Sequence, residues 1–388
     1  MAAPSKSLRT ACLTPVVVVE GTQKQQDFVP ESVLIRQYMT CTIDSLAASG
    51  IPAEQMRLFR FKIPCLASTS HRVRRGMLTL AAMTSHSLSN NPLSGGEAEG
   101  REPYLRTAQH HGEIFVTESA THMQHLSSPS SSSSSSNASN VEENLACSLL
   151  LALLAFAWFR VRRKQEGLRL TDPAAWNWLH LLRGARTLCG FVVHSPHLPG
   201  QEVARMILLH ERVGGRGGGG GRESPPPSSS QSQSRLHHSH RAMLGQFIQV
   251  SREEWSTTLS RALSRQTSLS QQQRDDLASA IQDLHLSAQH VGEVHVTDPM
   301  KLLSSWPTRI SKSVVELLTS CHPFALAVYA HWLMFVMLGR ETWWIDDMGA
   351  AGIREILAMS NIDQYGEGLL KWPRQLLHLS GSVSQEQS

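Results

Sequence analysis

Apolar residues recur along most of the chain at spacings of three and four residues, the period of a helix that buries one face. One such face is shared by Val33, Leu34, Tyr38, Cys41 and Ser45. The same spacing returns in later segments, namely Val73–Thr84, Leu105–Ser119, Trp255–Leu263 and Leu277–Ala288. Strand-like signals are confined to Val16–Val19 and Phe191–Val193. The pattern therefore predicts an all-α fold.

Two low-complexity stretches interrupt this helical pattern. Residues 127–140 are mostly serine, and residues 214–241 run from glycines through prolines into serine, glutamine and histidine. Such sequences bury too little apolar surface to offset the entropy of ordering them, so both are predicted to be disordered insertions. Residues 1–27 are predicted to be loosely ordered, and residues 379–388 to form a disordered tail. A single large helical domain over residues 28–378 remains.

Helix starts are signalled at two places. Ser139 and Glu142 have the spacing of a capping box, in which each side chain bonds the other residue's backbone N–H. Asp172 before Pro173 pairs a capping side chain with a proline suited to the first helical position. Helices are therefore expected to begin at Ser139 and at Asp172.

Two apolar runs are long enough to be tested as membrane spans. Leu145–Phe159 is followed by a basic cluster, and Phe324–Leu338 is the second run. Each is shorter than the roughly 20 residues that cross a bilayer, which predicts buried core helices. Basic residues after an apolar run are also typical of a membrane anchor. A membrane-associated structural or interaction protein anchored through residues 145–164 is therefore the alternative reading.

Composition and charge exclude some classes of protein. Hydrophobic residues make up 41% of the 388 positions, which is typical of a globular chain and not of a wholly disordered one. The 36 basic and 32 acidic residues leave a net charge of +4. A charge this small does not by itself indicate nucleic-acid binding.

The cysteines are far apart in sequence: Cys12, Cys41, Cys65, Cys147, Cys189 and Cys321. A zinc cluster needs short spacings such as Cys-x₂-Cys, because one local turn must bring the thiolates together on the metal. Since no such spacing occurs, neither a metal nor a cofactor is predicted for this chain. Cys147 and Cys189 stand among apolar residues and are expected to be reduced core residues.

The sequence contains no Gly-x-Ser-x-Gly elbow, no phosphate-binding loop and no His-Glu-x-x-His helix. Asp346 and Asp347 are adjacent, but successive helical side chains diverge by about 100° and do not readily share a proton. They are expected to cap or solvate a helix start. We therefore predict that the protein is not an enzyme.

The aromatic-rich C-terminal run offers a candidate apolar pocket. Large apolar pockets between helices suit apolar ligands, and a few polar groups such as His331 or Tyr329 would fix the ligand's orientation. A plain core helix is the competing interpretation, since a helix that is apolar nearly all round belongs in a core. The candidate pocket residues are Phe324, Val328, Tyr329, His331, Trp332, Phe335 and Trp343.

Several segments together resemble the C-terminal regulatory region of fungal zinc-cluster transcription factors, especially the sterol uptake control type. The segments that carry the resemblance are 71–82, 104–111, 176–188, 322–345 and 370–373. A Trp-x-x-Leu element followed by Arg-Gly, here Trp176, Leu179 and Arg183-Gly184, and a Pro-Phe-Ala-Leu element recur in that family in this order. The resemblance implies an α-helical sensor and activation domain with a hydrophobic pocket, which holds a sterol in some members.

The chain departs from that family at its N-terminal end. Family members carry a six-cysteine binuclear zinc cluster that contacts DNA, whereas the first 70 residues here offer only three separated cysteines. Either the DNA-binding segment is missing from this sequence, or the protein acts through partners. Zinc is expected only if such a cluster precedes the chain.

The resemblance leads to the hypothesis of a transcriptional regulator acting through a helical ligand- or partner-sensing domain. The expected targets are sterol or secondary-metabolite genes. The expected partners are other transcription factors or co-regulators, an apolar small molecule such as a sterol, or a second copy of the chain in a homodimer. The expected location is the nucleus, with cytoplasmic retention as a second state.

Overall fold

The computed structural model describes residues 28–49, 51, 53–88, 102–126, 137–194, 200–208, 231–293, 306–340, 342–359 and 368–385. Across these ranges the regular elements are helical and no strand occurs, so the predicted all-α fold is confirmed. Residues 191–193, which carried a strand-like signal, are helical. The other such signal, Val16–Val19, lies outside the described residues, as does all of 1–27.

The helices follow one another in three groups. The first comprises α1 (Glu31–Gln37), α2 (Ile43–Ala48), α3 (Ala53–Arg57), α4 (Ile63–Thr69), α5 (His71–Leu88) and α6 (Glu102–Leu126). The second comprises α7 (Asn137–Glu166), a 3₁₀ turn (Pro173–Trp176), α8 (Asn177–His194) and α9 (Gln201–Leu208). The third comprises α10 (Gln231–Ser264), α11 (Gln271–Glu293), α12 (Lys312–Thr319), α13 (Pro323–Met337), α14 (Met348–Leu357) and α15 (Lys371–Gln385).

Two π-helical turns interrupt the first group, one between α1 and α2 (Tyr38–Thr42) and one between α3 and α4 (Leu58–Lys62). The buried positions Leu34, Tyr38, Thr42 and Leu46 recur every four residues through the first of them. The hydroxyl of Tyr38 donates to the backbone carbonyl of Phe59 at 2.9 Å, which joins the two turns. The wider π-turn changes which side chains face inwards. The face expected from periodicity is therefore wrong at Cys41, which is exposed.

Three helices extend into stretches that were predicted to be disordered. The insertion predicted at 127–140 overlaps α7 from Asn137, the one at 214–241 overlaps α10 from Gln231, and the tail at 379–388 overlaps α15 up to Gln385. Once a helix has formed, adding one more residue fixes few dihedral angles for each new hydrogen bond. Serine- and glutamine-rich ends can therefore continue a helix that packing stabilises elsewhere. Residues 127–136 and 214–230 lie outside the described residues.

The helix starts were predicted with mixed success. Asp172 is the residue before the 3₁₀ turn that leads into α8, as predicted, but its side chain does not cap that turn. Its carboxylate instead accepts a hydrogen bond from the preceding Arg169 backbone N–H at 2.8 Å. The capping box was wrong, because α7 already begins at Asn137. Glu142 instead makes an ion pair with Lys62 at 2.9 Å, which ties α7 to the second π-turn.

One continuous hydrophobic core joins the three groups. In the first group α5 packs against α4, α6 and α7, and α7 then packs against α8. In the third group α13 is central and contacts α10, α11, α12, α14 and α15. Cys147 and Cys189 are free thiols buried in this core, as predicted. Burial raises the pKa of the Cys147 thiol to about 12.

α13 and α14 approach closely because two glycines face α13. A Cβ placed on Gly349 would lie 2.8 Å from the backbone carbonyl oxygen of Leu333 and from the backbone nitrogen of Met337. A Cβ placed on Gly352 would lie 2.7 Å from a methyl group of Leu333. A backbone atom cannot move aside as a flexible side chain can, so the contact at Gly349 requires glycine.

Substituting Gly349 tests this contact. We expect Gly349→Ala to lower the free energy of unfolding by about 1–3 kcal/mol, because the added methyl group overpacks the backbone of α13. Gly184→Ala is the matched control, since a Cβ there meets no atom within 4 Å in the middle of α8. It should raise the stability by about 0.5–1 kcal/mol. Urea unfolding of both variants measures the difference, and equal effects would contradict the close packing of α14 on α13.

Candidate functional site

α13 is buried around its whole circumference. Pro323 occupies its first turn, where the missing proline N–H costs nothing, and every side chain from Phe324 to Met337 is buried. The helix contains no Asp, Glu, Lys or Arg, so it has no face suited to solvent. Six of the seven candidate pocket residues lie on it: Phe324, Val328, Tyr329, His331, Trp332 and Phe335.

Tyr329 and Trp332 point into an aromatic cluster made of Trp176, Trp178, Trp306, Tyr329 and Trp332. The Tyr329 and Trp332 rings stack with centroids 5.2 Å apart. Trp332 also stacks on Trp178 at 5.5 Å and on Trp306 at 5.9 Å, and Trp176 meets Tyr329 edge-on at 5.0 Å. Each such pair contributes about 0.5–1.5 kcal/mol beyond its buried area. These rings pack one another in the region where the pocket was expected.

His331 belongs to a different side of the helix. It lies two positions from Tyr329, which is about 200° around an α-helix. Its ring meets Trp255 of α10 at 5.2 Å and Trp372 of α15 at 6.3 Å. Its Nδ1 lies 2.9 Å from the carbonyl oxygen of Ala327. Burial lowers the pKa of His331 to about 4, and the Ala327 hydrogen bond opposes part of that change.

The remaining candidates do not join these two groups. Trp343 lies in the turn that follows α13 and is half-buried, and its carbonyl oxygen accepts a hydrogen bond from Arg160. Phe324, Val328 and Phe335 are buried in the surrounding core. The structure thus brings Tyr329 and Trp332 together, turns His331 towards other helices and places Trp343 beyond the end of α13. A single apolar pocket formed by all seven stays a prediction.

An open groove of about 520 Å³ lies away from these residues, between the α4–α5 junction, α6 and α7. Glu143 accepts a hydrogen bond from the Ser70 hydroxyl at 2.6 Å and one from Arg72 Nε at 2.7 Å. The main charged groups on that wall therefore already satisfy each other. The groove is lined by Thr69, Ser70, His71, Arg72, Thr117, Glu118, Thr121, His122 and Glu143.

The basic residues at the end of α7 form ion pairs within the protein, which the sequence patterns did not reveal. Two residues of the cluster form ion pairs with Asp346. Arg160 Nε lies 3.2 Å and Lys164 Nζ lies 2.6 Å from Asp346 Oδ2. Arg163 pairs with Glu355 of α14 at 2.7 Å. Burial lowers the pKa of Arg160, and the nearby Asp346 and Asp347 carboxylates oppose that change. Neither aspartate caps a helix through its side chain: Asp347 lies exposed before α14 without a capping hydrogen bond, and Asp346 binds α7.

One helix among the described residues is long and apolar enough to cross a membrane, the Asn140–Glu166 part of α7. In the structure 72% of its most apolar stretch is buried inside the protein. α12 and α13 pass the same test only as a pair, and they are bent by 102° at the break between them. The two apolar runs are thus buried core helices, as predicted. Within the described ranges, no cluster of three or more His, Cys, Asp or Glu side chains is placed to hold a metal ion.

Comparison with known proteins identified no relative. No family model, no curated protein and no solved structure matches the chain. The resemblance to fungal zinc-cluster regulators therefore remains a sequence-based prediction.

Breaking the Arg163–Glu355 pair should destabilise the protein strongly, since both side chains are mostly buried. Removing one partner leaves a buried charge without compensation, so we expect Glu355→Gln to cost about 2–4 kcal/mol. Glu316→Gln is the matched control, because Glu316 pairs with Lys312 on an exposed helix surface. It should cost less than about 0.5 kcal/mol. Equal unfolding free energies in urea would show that the α7–α14 ion pair contributes little.

Acid should destabilise the protein through two buried histidines. Burial lowers the pKa of both His331 and His111 to about 4, and Arg75 lowers that of His111 further. In the unfolded chain each binds a proton near pH 6.5, so stability is full above that pH and falls as the pH drops towards 4. The slope is at most about 1.4 kcal/mol per pH unit for each histidine.

Unfolding in urea at several pH values tests this prediction. Between pH 6.5 and 4, the unfolding free energy of His331→Gln should depend less steeply on pH, because up to one fewer proton is bound on unfolding. His194→Gln, at the exposed end of α8, should leave this pH dependence unchanged. If the unfolding free energy changes with pH equally in wild type and in His331→Gln, then His331 binds its proton as readily in the folded protein as in the unfolded chain.

Proposed function

We propose that the protein is a transcriptional regulator of the fungal zinc-cluster type, acting through a helical domain that binds a ligand or a partner protein. The supporting observation is that the segments resembling that family pack against one another in two groups in the folded chain, one of three segments and one of two.

Three of these segments meet around α13. Trp178 from segment 176–188 stacks on Trp332 from segment 322–345 at 5.5 Å. Trp372 from segment 370–373 lies 6.3 Å from His331, between ring centroids. Residues that recur together in a family are expected to share a core, and these three segments do so.

Two arginines of segment 176–188 also act across this core. Arg183 donates to the carbonyl oxygen of Ser311 at 3.3 Å, and Arg186 donates to that of Thr308 at 2.6 Å. They hold the helical turn at 306–309 that carries Trp306 into the aromatic cluster. Arg183 and Arg186 therefore position the wall of the core that faces α13.

The two N-terminal segments of the resemblance pack on each other in the same way. Arg75 Nη1 of segment 71–82 lies 2.7 Å from His111 Nδ1 of segment 104–111. The face of α5 around Gly76 is filled by Phe115 of α6, whose ring would lie 2.8 Å from a Cβ at that glycine. These contacts support the interpretation of residues 28–378 as a helical regulatory framework.

The remaining parts of the proposal follow from the resemblance. The protein acts in the nucleus, or is retained in the cytoplasm until activated, and controls sterol or secondary-metabolite genes. It binds other transcription factors or co-regulators, an apolar small molecule such as a sterol, or a second copy of itself. DNA recognition is supplied by a partner or by a zinc cluster outside this chain, and the chain is not an enzyme.

A membrane-associated interaction protein anchored through residues 145–164 is the second candidate function. The length and apolar character of α7 favour it. The ion pairs of Arg160, Arg163 and Lys164 with Asp346 and Glu355 count against it, because a basic anchor must have its charges free for anionic lipids.

Recruitment to a promoter distinguishes the two functions. The full chain is fused to a heterologous zinc-cluster DNA-binding domain and expressed with a reporter gene that carries the matching sites. We expect reporter output to change several-fold relative to the DNA-binding domain alone, and the fusion to be found in nuclei. Val250→Ala, on the exposed face of α10, serves as the surface control. Trp178→Asp, which places a charge in the aromatic cluster, serves as the broken-core control.

The outcomes separate as follows. Loss of the reporter response in Trp178→Asp but not in Val250→Ala supports a folded regulatory domain. An unchanged reporter, together with retention of the unfused chain in carbonate-washed membranes, contradicts the regulator and supports the membrane-associated protein.

A further inference from the structure

The core around α13 contains polar atoms that form no hydrogen bond with the described residues. They include the indole nitrogens of Trp178, Trp255, Trp332, Trp343 and Trp344, and Nε2 of His331. Other tryptophans of the same core are satisfied, since Trp176 donates to the carbonyl oxygen of Leu170 and Trp306 to that of Ala280. A buried polar group without a partner costs free energy comparable to its desolvation, so such groups normally mark a bound water or ligand.

Two of these unpaired groups belong to neighbouring rings. The rings of Trp255 and His331 have centroids 5.2 Å apart and an interplanar angle of 41°. Both side chains are completely shielded from solvent. They lie on α10 and α13, on the side of α13 opposite to the aromatic cluster.

The hydrogen-bonding capacities of this pair are complementary. Nδ1 of His331 lies 2.9 Å from the carbonyl oxygen of Ala327, which places the proton of the neutral ring on Nδ1. Nε2 is then left with a lone pair and can only accept. The indole of Trp255 can only donate. The two neighbouring rings therefore carry one unused donor and one unused acceptor.

We propose that a hydroxyl group, carried by a water molecule or by an apolar small molecule, is bound between Trp255 Nε1 and His331 Nε2. The hydroxyl oxygen accepts the hydrogen bond from the indole, and the hydroxyl proton is donated to the imidazole. A hydroxyl that belongs to a water molecule is independent of the proposed function. A hydroxyl carried by a small molecule rests on that function.

Other groups fit the pair less well. A carbonyl oxygen can accept from Trp255 but cannot donate to His331. A metal ion would be bound by the lone pair of His331 but is repelled by the indole N–H. A hydroxyl is the smallest group that both accepts and donates, and buried water normally makes two to four such bonds.

Nuclear Overhauser measurements on the full chain, labelled with ¹⁵N at the tryptophan indoles, test the proposal. We expect the indole proton of Trp255 to show a cross-peak to a long-lived water or to the protons of a bound small molecule. Trp176 and Trp306 are the internal controls, because their indole protons are donated to backbone carbonyls. They should show neither cross-peak. In His331→Phe the Trp255 cross-peak should be lost while the Trp176 and Trp306 signals keep their positions.

The source of the hydroxyl is read from the same spectra. A cross-peak at the water frequency that survives detergent washing of the protein identifies water. A cross-peak to aliphatic protons that washing removes identifies an apolar small molecule. If wild-type Trp255 shows neither, its indole is unpaired or donates directly to His331, and the proposal is overturned. This readout needs no reporter gene, so its failure and the failure of the proposed function are separate results.

Discussion

Burial of α13 on every side is the constraint on which the rest of the structure depends. A helix without a polar face must be enclosed, and one neighbouring helix covers only part of its surface. The enclosure is made by α10, α11, α12, α14 and α15, and by Trp178 from α8. Because these elements come from both sides of α13 in the chain, the C-terminal half can form a core only as a unit. The same enclosure separates Tyr329 from His331, although they are two positions apart.

The second organising feature is the neutralisation of the basic end of α7. Arg160 and Arg163 are largely removed from solvent, and each needs a carboxylate from the turn after α13 or from α14. An apolar run followed by arginines has the same local pattern in a membrane anchor and in this core helix. The distinction lies in Asp346 and Glu355, which are far away in sequence. The ion pairs therefore also fix how the first half of the chain is attached to the second.

Local features of the sequence were sufficient to predict the helices, because helical periodicity and the proline before Phe324 act within one or two turns. The burial of Leu145–Phe159 was predictable from its length and composition. The π-turn at Tyr38–Thr42 was not, since one wider turn leaves the spacing of apolar residues nearly unchanged. The partners of Arg163 and His331 depend on which distant helices meet, and only the folded chain contains that information. The pocket hypothesis treated Tyr329 and His331 as one group for the same reason.

The close approach at Gly349 and Gly352 has a mechanical consequence. Side chains that separate two helices can change rotamer and let the helices shift, whereas here the backbone of α14 rests almost directly on that of α13. The two helices therefore have little freedom to slide past each other and are expected to move as one rigid body. Any displacement imposed at the Asp346 turn would be passed to α13 without being absorbed on the way.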